Sequence, residues 1–344
     1  MDVSSIGRQN VVEFLKEKGL DDAAISKMIT RCRRLEMANV EERAKPNWNY
    51  LQKIGIPSRK LPSMVCRCPK LLVLGLYEKL QPMVECLGAL GTKPKDVALA
   101  VMRFPHILSH SVEEKLCPLL AFLQTVGVAE KQLGKLILVN PRLISYSIEG
   151  KLQPMVEFFL SFGLRDGDLG KLLVRSPHVV GYSVEGRLKP TLEFLRKVGL
   201  GDKDLQRIAV HFPHILCRDV EKVLRPNVDF LRRSGLSAGQ VSRIISGFPP
   251  VLTKSIKNSL QPKINFLVEI MGRRIEELAE FPDFFYHGLK KRIEFRYKQL
   301  EQMNIQCSLA EMLSYSQNKF VIKFGLQERE INSKCTMGQA RLLN

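Results

Sequence analysis

The sequence predicts an all-α protein, a curved α-solenoid of about eight helix–helix–3₁₀ repeats. Three observations lead to this fold class: prolines recur every 36 residues, a second proline follows each after thirteen residues, and a glycine keeps the same step. The anchor prolines are Pro69, Pro105, Pro141, Pro177, Pro213 and Pro249, and the second series is Pro82, Pro118, Pro154, Pro190, Pro226 and Pro262. The glycines are Gly19, Gly55, Gly91, Gly127, Gly163, Gly199 and Gly235. A period of about 20 to 50 residues is typical of stacked repeats.

The first element of each repeat is a long helix, shown by the copy that follows Pro105. Ser111 and Glu114 match the S-x-x-E capping-box pattern, which predicts a helix start at the serine. Helical spacing then joins the apolar residues Val112, Leu116, Leu119, Leu120 and Leu123. Because this stripe runs through Pro118, we expect one kinked helix rather than two. Gly127 predicts a helix end with left-handed backbone.

The second element is a shorter helix, clearest where Leu205, Ile208, Ala209 and Phe212 mark one face before Pro213. The few residues after that proline suit a 3₁₀ turn. A unit of this size cannot bury its apolar stripe alone, so neighbouring repeats must stack on each other.

The predicted organisation is one array between two flexible ends. We expect a flexible N-terminus over residues 1–10, degenerate capping repeats over 11–68, regular repeats over 69–281, a closing repeat over 282–326 and a flexible tail over 327–344. In the last regular copy Met271 replaces the glycine, and Pro282 follows its predecessor after 33 residues. Trp48 falls on an apolar repeat position and is expected in the capping core.

Composition limits the classes of partner. The chain has 344 residues, a net charge of +18 and an isoelectric point of about 9.6. Such a charge favours a polyanion, either nucleic acid or an anionic membrane surface. No apolar run reaches the roughly 20 residues that a membrane span needs. Residues 1–10 match neither a signal peptide nor a good transit peptide.

Nothing in the sequence predicts catalysis, a cofactor or a metal site. Phosphate-binding glycine loops and nucleophile elbows are absent from it. His106, His178 and His214 share one repeat position, so their recurrence serves the repeat rather than a single site. The eight cysteines form no C-x-x-C pair and are expected to be reduced and mostly buried.

Several cations keep the repeat register. The first row stands on the short helix, six residues before the anchor proline, at Lys135, Lys171, Arg207 and Arg243. Four residues later, on the same helical face, a second row comprises Arg67, Arg103, Arg175 and His211. A third row lies on the long helix at Lys79, Lys115, Lys151 and Arg187, and the last copy adds Lys290, Lys291, Arg292 and Arg296.

Two interpretations of these rows remain open. Most charges belong to solvated helix faces, and glutamates two residues before the long-helix row are candidate partners for it: Glu113, Glu149, Glu185 and Glu221. No acidic series is evident beside the short-helix rows, so we expect these to line a nucleic-acid groove.

The repeats resemble those of the mitochondrial transcription termination factor (mTERF) family, in particular its plant organellar branch. The resemblance lies in FPHILSHSVEEKLCPLLAFLQTVG, SPHVVGYSVEGRLKPTLEFLRKVGL, FPHILCRDVEKVLRPNVDFLRRSGL and the terminal FPDFFYHGLKKRIEFRYKQL. It covers roughly residues 10 to 326. The resemblance is specific, because proline, leucine and glycine positions agree through consecutive copies. The resemblance implies a basic concave surface for nucleic acid and a role in chloroplast or mitochondrial gene expression.

Two functional classes follow from these observations. The first is a monomeric nucleic-acid-binding factor, either a terminator that grips double-stranded DNA or a factor that binds RNA during rRNA or tRNA maturation. Few exposed aromatic residues interleave the basic rows, which favours backbone contacts on a duplex over single-strand stacking. The second class is a helical scaffold for an acidic protein partner.

Overall fold

The computed structural model describes residues 11–325, and within that range every regular element is helical. The flexible ends expected over residues 1–10 and 327–344 lie outside the described residues. Because helix pairs and 3₁₀ turns follow one another without a strand in the described range, the all-α repeat prediction is confirmed.

Along the chain the α-helices alternate with two kinds of turn, the tighter 3₁₀ turn and the wider π-helical turn. The α-helices are residues 11–17 (α1), Asp22–Arg31 (α2), Lys45–Lys53 (α3), Leu61–Arg67 (α4), Gln81–Ala89 (α5), Pro94–Arg103 (α6), Cys117–Thr125 (α7), Glu130–Val139 (α8), Gln153–Ser161 (α9), Asp166–Arg175 (α10), Lys189–Lys197 (α11), Asp202–His211 (α12), Arg225–Arg233 (α13), Ala238–Gly247 (α14), Gln261–Asn265 (α15), Glu277–Glu280 (α16), Phe295–Gln302 (α17), Leu309–Leu313 (α18) and Gln317–Lys323 (α19). The 3₁₀ turns are Arg33–Leu35, Ser58–Lys60, Pro69–Leu72, Pro105–Ser109, Pro141–Ser145, Pro177–Gly181, Pro213–Ile215, Pro249–Thr253 and Pro282–Tyr286. The π-helical turns are Val40–Ala44, Leu76–Leu80, Val112–Leu116, Ile148–Leu152, Val184–Leu188, Val220–Leu224, Ile256–Leu260, Phe266–Ile270 and Leu289–Glu294.

Where a long helix contains an internal proline, a π turn just before it lets the helix continue. In the copy above, Ser111 caps the helix by accepting a hydrogen bond from the Glu114 N–H. Pro118 is the second residue of α7, directly after the π turn, and the Cys117 N–H donates to the carbonyl of Val112 five residues earlier. An α-helical turn would bring the proline ring against the carbonyl four residues back. The wider turn removes that conflict, and the helix is not interrupted.

The register glycines end the long helices in left-handed backbone, as predicted. All seven have positive φ, and Gly163, at φ 88°, is representative. Its N–H donates to the Leu160 carbonyl at 2.8 Å, and the Leu164 N–H donates to the Phe159 carbonyl at 3.1 Å. This pair of bonds is the Schellman arrangement, which satisfies two of the carbonyls that a helix end leaves unpaired.

The last regular copy departs from the register by one residue. Gly272, not Met271, adopts positive φ, at 62°. The extra π turn Phe266–Ile270 within this long helix takes up the inserted residue. The following short helix, α16, has only four residues, which accounts for the early Pro282.

The described chain falls into two compact units, one comprising residues to Gly186 with Ala209–His214, the other Arg187–Ile208 with the residues from Ile215 onward. Within the first unit, short helices press directly on the turn of the preceding repeat. A Cβ added at Gly134 would lie 2.5 Å from the Leu90 carbonyl oxygen, and one at Gly170 would overlap the Gly127 carbonyl. Within the second unit, Ser242 holds the equivalent position by donating its hydroxyl to Gly199 at 2.8 Å.

The cores follow the predicted stripes. Leu116, Leu119 and Leu123 are buried, whereas Val112 and Leu120 at the edge of the stripe are half-buried. Trp48 is buried as expected and meets Phe14 edge-on, with ring centroids 6.0 Å apart.

Candidate nucleic-acid interface

Every residue of the two short-helix rows is exposed to solvent. The first row lies on α8, α10, α12 and α14 at Lys135, Lys171, Arg207 and Arg243. The second row lies on α4, α6, α10 and α12 at Arg67, Arg103, Arg175 and His211. Exposure makes these side chains available in principle, and their neighbours decide which of them are free.

Some arginines of the second row are bound to the next repeat. Arg67 donates to the carbonyls of Met102, at 2.6 Å, and Arg103, at 3.3 Å, at the C-terminus of α6. One repeat earlier, Arg31 donates to the carbonyl of Cys66, at 3.3 Å, near the end of α4. These carbonyls have no partner within their own helix and lie at the negative end of its dipole. The arginines therefore cap helices across the repeat boundary, and Arg31 was not recognised from the sequence.

The same contact recurs further along the chain. Arg175 donates to the Val210 carbonyl at 3.1 Å and lies 2.8 Å from Nδ1 of His211. In the second unit, Arg207 of the first row reaches the carbonyl of Ser246 in the last turn of α14. Two members of the second row, Arg175 and His211, are thus in contact with each other.

Two members of the first row have acidic neighbours. Lys171 pairs with Asp168 at 3.1 Å and Arg207 with Asp204 at 3.5 Å, each three residues earlier. The expectation that no acidic series accompanies this row is therefore wrong for these two copies. Glutamines, Gln132 and Gln240, stand at the equivalent positions beside Lys135 and Arg243.

Three cations of the short-helix rows remain without such neighbours. Within the described residues, no ion pair or side-chain hydrogen bond engages Arg103, Lys135 or Arg243. They form the set that we call the free short-helix cations.

The long-helix row is likewise divided. Lys79 and Lys115 are exposed, whereas Lys151 is half-buried and donates to the Tyr182 carbonyl at 2.7 Å. In the second unit, Arg187 forms a 2.9 Å ion pair with Asp219 and thereby lowers the pKa of that carboxyl group.

Glutamates expected to neutralise the long-helix row make their hydrogen bonds and ion pairs elsewhere. At Glu113 hydrogen bonds lower the pKa first, and the charge of Lys79 in the long-helix row also lowers it. Glu113 accepts from the Ser111 hydroxyl at 3.0 Å, and Glu149 accepts from Ser147 at 3.2 Å. Glu221 pairs with Arg225 at 2.7 Å. These carboxylates belong to helix starts, where negative charge stabilises the dipole.

The terminal basic cluster is only partly a surface. Lys290 and Lys291 are exposed, but Arg292 donates to the carbonyls of Leu313, at 2.7 Å, and Tyr315, at 2.6 Å. These bonds tie the long helix of the closing repeat to the helices that follow it.

Arg296 is a correction to the sequence prediction. Its side chain is only 1% exposed, it donates to the Met312 carbonyl at 2.8 Å, and it lies 4.3 Å from the Phe320 ring centroid. Burial, with repulsion from Arg292, lowers its pKa to about 10. The residue holds the closing segment together and is excluded from the candidate interface.

Potential metal ligands and thiols are the other reactive side chains of the described residues. Among residues 11–325, no group of three His, Cys, Asp or Glu side chains is placed to hold a metal ion. The described cysteines are free thiols, but only Cys32 and Cys68 are buried, so the expectation of mostly buried thiols is wrong. Over the same range no helix has the length and apolar character required to cross a membrane.

Repeats of two helices and a proline-led 3₁₀ turn, with cations in register, define a helical-repeat protein. The model of the mTERF family matches residues 12–321, and the chain belongs to that family.

Three plant proteins share shorter stretches with it. Transcription termination factor MTERF6, chloroplastic/mitochondrial, from Arabidopsis thaliana is 53% identical over 62 residues, 18% of this chain and 19% of the relative. Transcription termination factor MTERF4, chloroplastic, is 42% identical over 50 residues in Arabidopsis thaliana, 14% of this chain and 9% of the relative. The MTERF4 of Oryza sativa subsp. japonica is 35% identical over 68 residues, 18% and 13% of the two chains. The matched stretches thus span less than a fifth of each curated relative.

Proposed function

We propose that this chain is a nucleic-acid-binding factor of chloroplasts or mitochondria that terminates transcription by gripping double-stranded DNA. The observation that carries the proposal is the set of free short-helix cations, Arg103, Lys135 and Arg243, exposed on α6, α8 and α14. Membership of the mTERF family and the names of the plant relatives support it. The factor acts as a monomer and without a cofactor.

Charge explains how such cations bind a duplex. Each lysine or arginine that neutralises a phosphate releases a condensed counterion, so affinity falls steeply as salt rises. The side chains bound to carbonyls or carboxylates contribute less, because a phosphate has to compete with an existing partner. The free short-helix cations therefore contribute most, with exposed Lys79 and Lys115 adding to them.

RNA is the second candidate ligand, and two tyrosines favour it. Tyr77 is 75% exposed, two residues before Lys79, and Tyr286 is 70% exposed in the second unit. Exposed rings suit unpaired bases, because base–ring stacking tolerates any sequence. These rings were not anticipated from the sequence.

Competition binding tests the proposal. Fluorescence anisotropy with a labelled duplex is measured against unlabelled duplex DNA, single-stranded DNA and RNA of matched sequence at several salt concentrations. We expect duplex DNA to compete best and affinity to fall with salt. A preference for RNA that disappears in Tyr77→Ala and Tyr286→Ala would support the second candidate, and salt-independent or absent binding of all three would contradict both.

A further inference from the structure

The first unit contains a cationic cleft between the turn that follows α5 and the helix α8. Its volume is about 380 Å³, within the range of pockets that take small ligands. Four exposed cations line it: Lys93, Arg103, Lys131 and Lys135. The lining contains a single carboxylate, that of Asp96.

Both free short-helix cations of the first unit lie in this cleft. Arg103 has the same repeat position as Arg31 and Arg67, which cap the next helix, but no bond of that kind engages Arg103. Lys135 has no acidic neighbour of the kind that Lys171 has. The cleft is therefore where the unengaged members of both rows in the first unit lie together.

The turn that forms its wall departs from its sister turns. At six register glycines, the glycine N–H and the next N–H both donate to carbonyls of the preceding helix; these turns are at Gly19, Gly55, Gly127, Gly163, Gly199 and Gly235. At Gly91 and Thr92 neither bond forms. Both residues line the cleft, so two backbone donors without a backbone acceptor lie in its wall.

Thr92 supplies the physical reason. The residue after the glycine is aliphatic in the sister turns, for example Val128, whereas here a hydroxyl is present. The Thr92 hydroxyl donates to the Leu87 carbonyl at 2.7 Å, the same acceptor that its own N–H would take in a sister turn. The Thr92 side chain thus replaces the backbone as donor, and the N–H groups of Gly91 and Thr92 remain without a backbone acceptor.

This set of donors matches a polyphosphate better than a single phosphodiester. Successive N–H groups around a left-handed residue bind anions, and lysine and arginine add charge-assisted bonds. Three helices, α5, α6 and α8, end at the cleft, each with roughly half a negative charge. The four cations exceed the sum of these ends and the Asp96 carboxylate. One phosphodiester carries one negative charge, whereas a triphosphate carries several.

The cleft also has an apolar side. Leu99 is 39% exposed and Val139 is half-buried, and both line the cleft together with the buried Leu138. A nucleobase packed on these residues would leave its phosphates among the lysines. We propose that the cleft binds the triphosphate group of a nucleotide, either a free nucleoside triphosphate or the 5′ end of an RNA. The proposal deepens the proposed function, because Arg103 and Lys135 serve both.

Direct binding measurements distinguish the two sources. Calorimetry with ATP, GTP and GMP tests free nucleotides, and anisotropy with one RNA carrying either a 5′-triphosphate or a 5′-hydroxyl tests the strand end. We expect each triphosphate form that enters the cleft to bind at least about tenfold tighter than its counterpart, since several charge-assisted bonds are gained. Tighter binding of ATP and GTP than of GMP identifies the free nucleotide as the ligand. Tighter binding of the 5′-triphosphate RNA than of the 5′-hydroxyl RNA, without that nucleotide preference, identifies the strand end. No selectivity in either pair overturns the proposal.

Four variants locate the binding. Lys131→Gln with Lys135→Gln should abolish the selectivity, whereas Lys27→Gln with Lys70→Gln, the same charge change at exposed lysines outside the cleft, should keep it. Thr92→Val should weaken triphosphate binding without lowering the melting temperature, because the sister type of turn is restored. Asp96→Asn should strengthen binding, an effect that misfolding cannot imitate. Equal effects of the two lysine pairs would overturn the cleft as the site.

Duplex DNA binding is measured on the same samples, so that the two proposals fail separately. Salt-dependent duplex binding without triphosphate selectivity removes the cleft proposal and leaves the proposed function. Triphosphate selectivity without duplex binding does the reverse.

Discussion

Arg67 and Arg103 occupy the same position of consecutive repeats, yet only Arg67 is bound to the following helix. A guanidinium has five N–H donors, and the use of some on a helix end limits how it can approach a phosphate. The residue type and its register are therefore insufficient to assign a binding role. What distinguishes the two arginines is the neighbour that folding brings to each.

The glycine at the helix end makes a prediction at this scale. Gly163→Ala should destabilise the protein by about 1 kcal/mol or more, because φ is 88° there and a side chain resists left-handed backbone. Gly88→Ala is the matched change within a helix, at an exposed glycine with open space around it. It should stabilise by up to about 1 kcal/mol, since alanine favours helix. Chemical unfolding of both variants is the measurement, and a loss of stability at both positions would contradict the assignment.

Lys263 predicts a dependence of stability on pH. The side chain is 5% exposed and donates to the Phe285 carbonyl at 2.8 Å, and burial, with repulsion from Lys254, lowers its pKa to about 8. In the unfolded chain the pKa is about 10.4. Between these values the unfolded state holds the proton that the folded state has lost, so this contribution to stability rises with pH from about 8 to about 10.

Comparison with Lys263→Met isolates that contribution. The difference in unfolding free energy between wild type and variant should grow in favour of wild type across the window. Lys257→Met, at an exposed lysine six residues earlier in the same long helix, should show no such trend. Parallel pH profiles for wild type and Lys263→Met would contradict the lowered pKa.

At the scale of elements, the sequence predicted the order of helices well and their internal hydrogen bonding poorly. Proline and glycine positions fix where helices pass and end, so the 36-residue period was enough to locate them. The π turn before Pro118 was not predictable from apolar spacing, because one widened turn hardly changes which residues face the core. Another π turn, Phe266–Ile270, places the left-handed glycine at Gly272 instead of position 271.

The candidate site was predictable only as a set of positions. Register located Lys135, Arg103 and Arg243, but the carbonyls that bind Arg67 and Arg175 lie some 35 residues further along the chain. Contacts of that kind depend on how repeats stack. Burial of Arg296 has a similar cause, since the helices α18 and α19 that cover it break the repeat pattern.

Caps across the repeat boundary make a prediction for the helix as an element. Arg175→Gln should lower the free energy of unfolding by about 1 kcal/mol, because carbonyls at the end of α12 lose a charged donor. Lys171→Gln on the same helix removes only an exposed ion pair and should cost less than about 0.5 kcal/mol. Thermal unfolding of the two variants is compared. Equal stability of both would show that the cap contributes nothing.

For the whole molecule, stacking of repeats predicts resistance to proteases between them. Stacked repeats bury the faces of their neighbours, so a cut inside such an array requires local unfolding of several helices. We expect limited proteolysis to produce no early cleavage between the regular repeats over residues 69–281. Rapid cleavage at one repeat boundary would instead reveal a linker and contradict the single array.

Some cations hold repeats together and others remain available for a polyanion, and salt-dependent binding tests this separation most directly. Log affinity for duplex DNA is plotted against log salt for wild type, for Arg103→Gln/Lys135→Gln/Arg243→Gln, and for Arg67→Gln/Arg175→Gln/Arg207→Gln. The first variant should lose about one unit of slope per phosphate contact removed and keep its melting temperature. The second variant should have a lower melting temperature than wild type. Its slope of log affinity against log salt should change less, because the replaced side chains already have partners. A first variant that binds like wild type at every salt concentration would contradict the account.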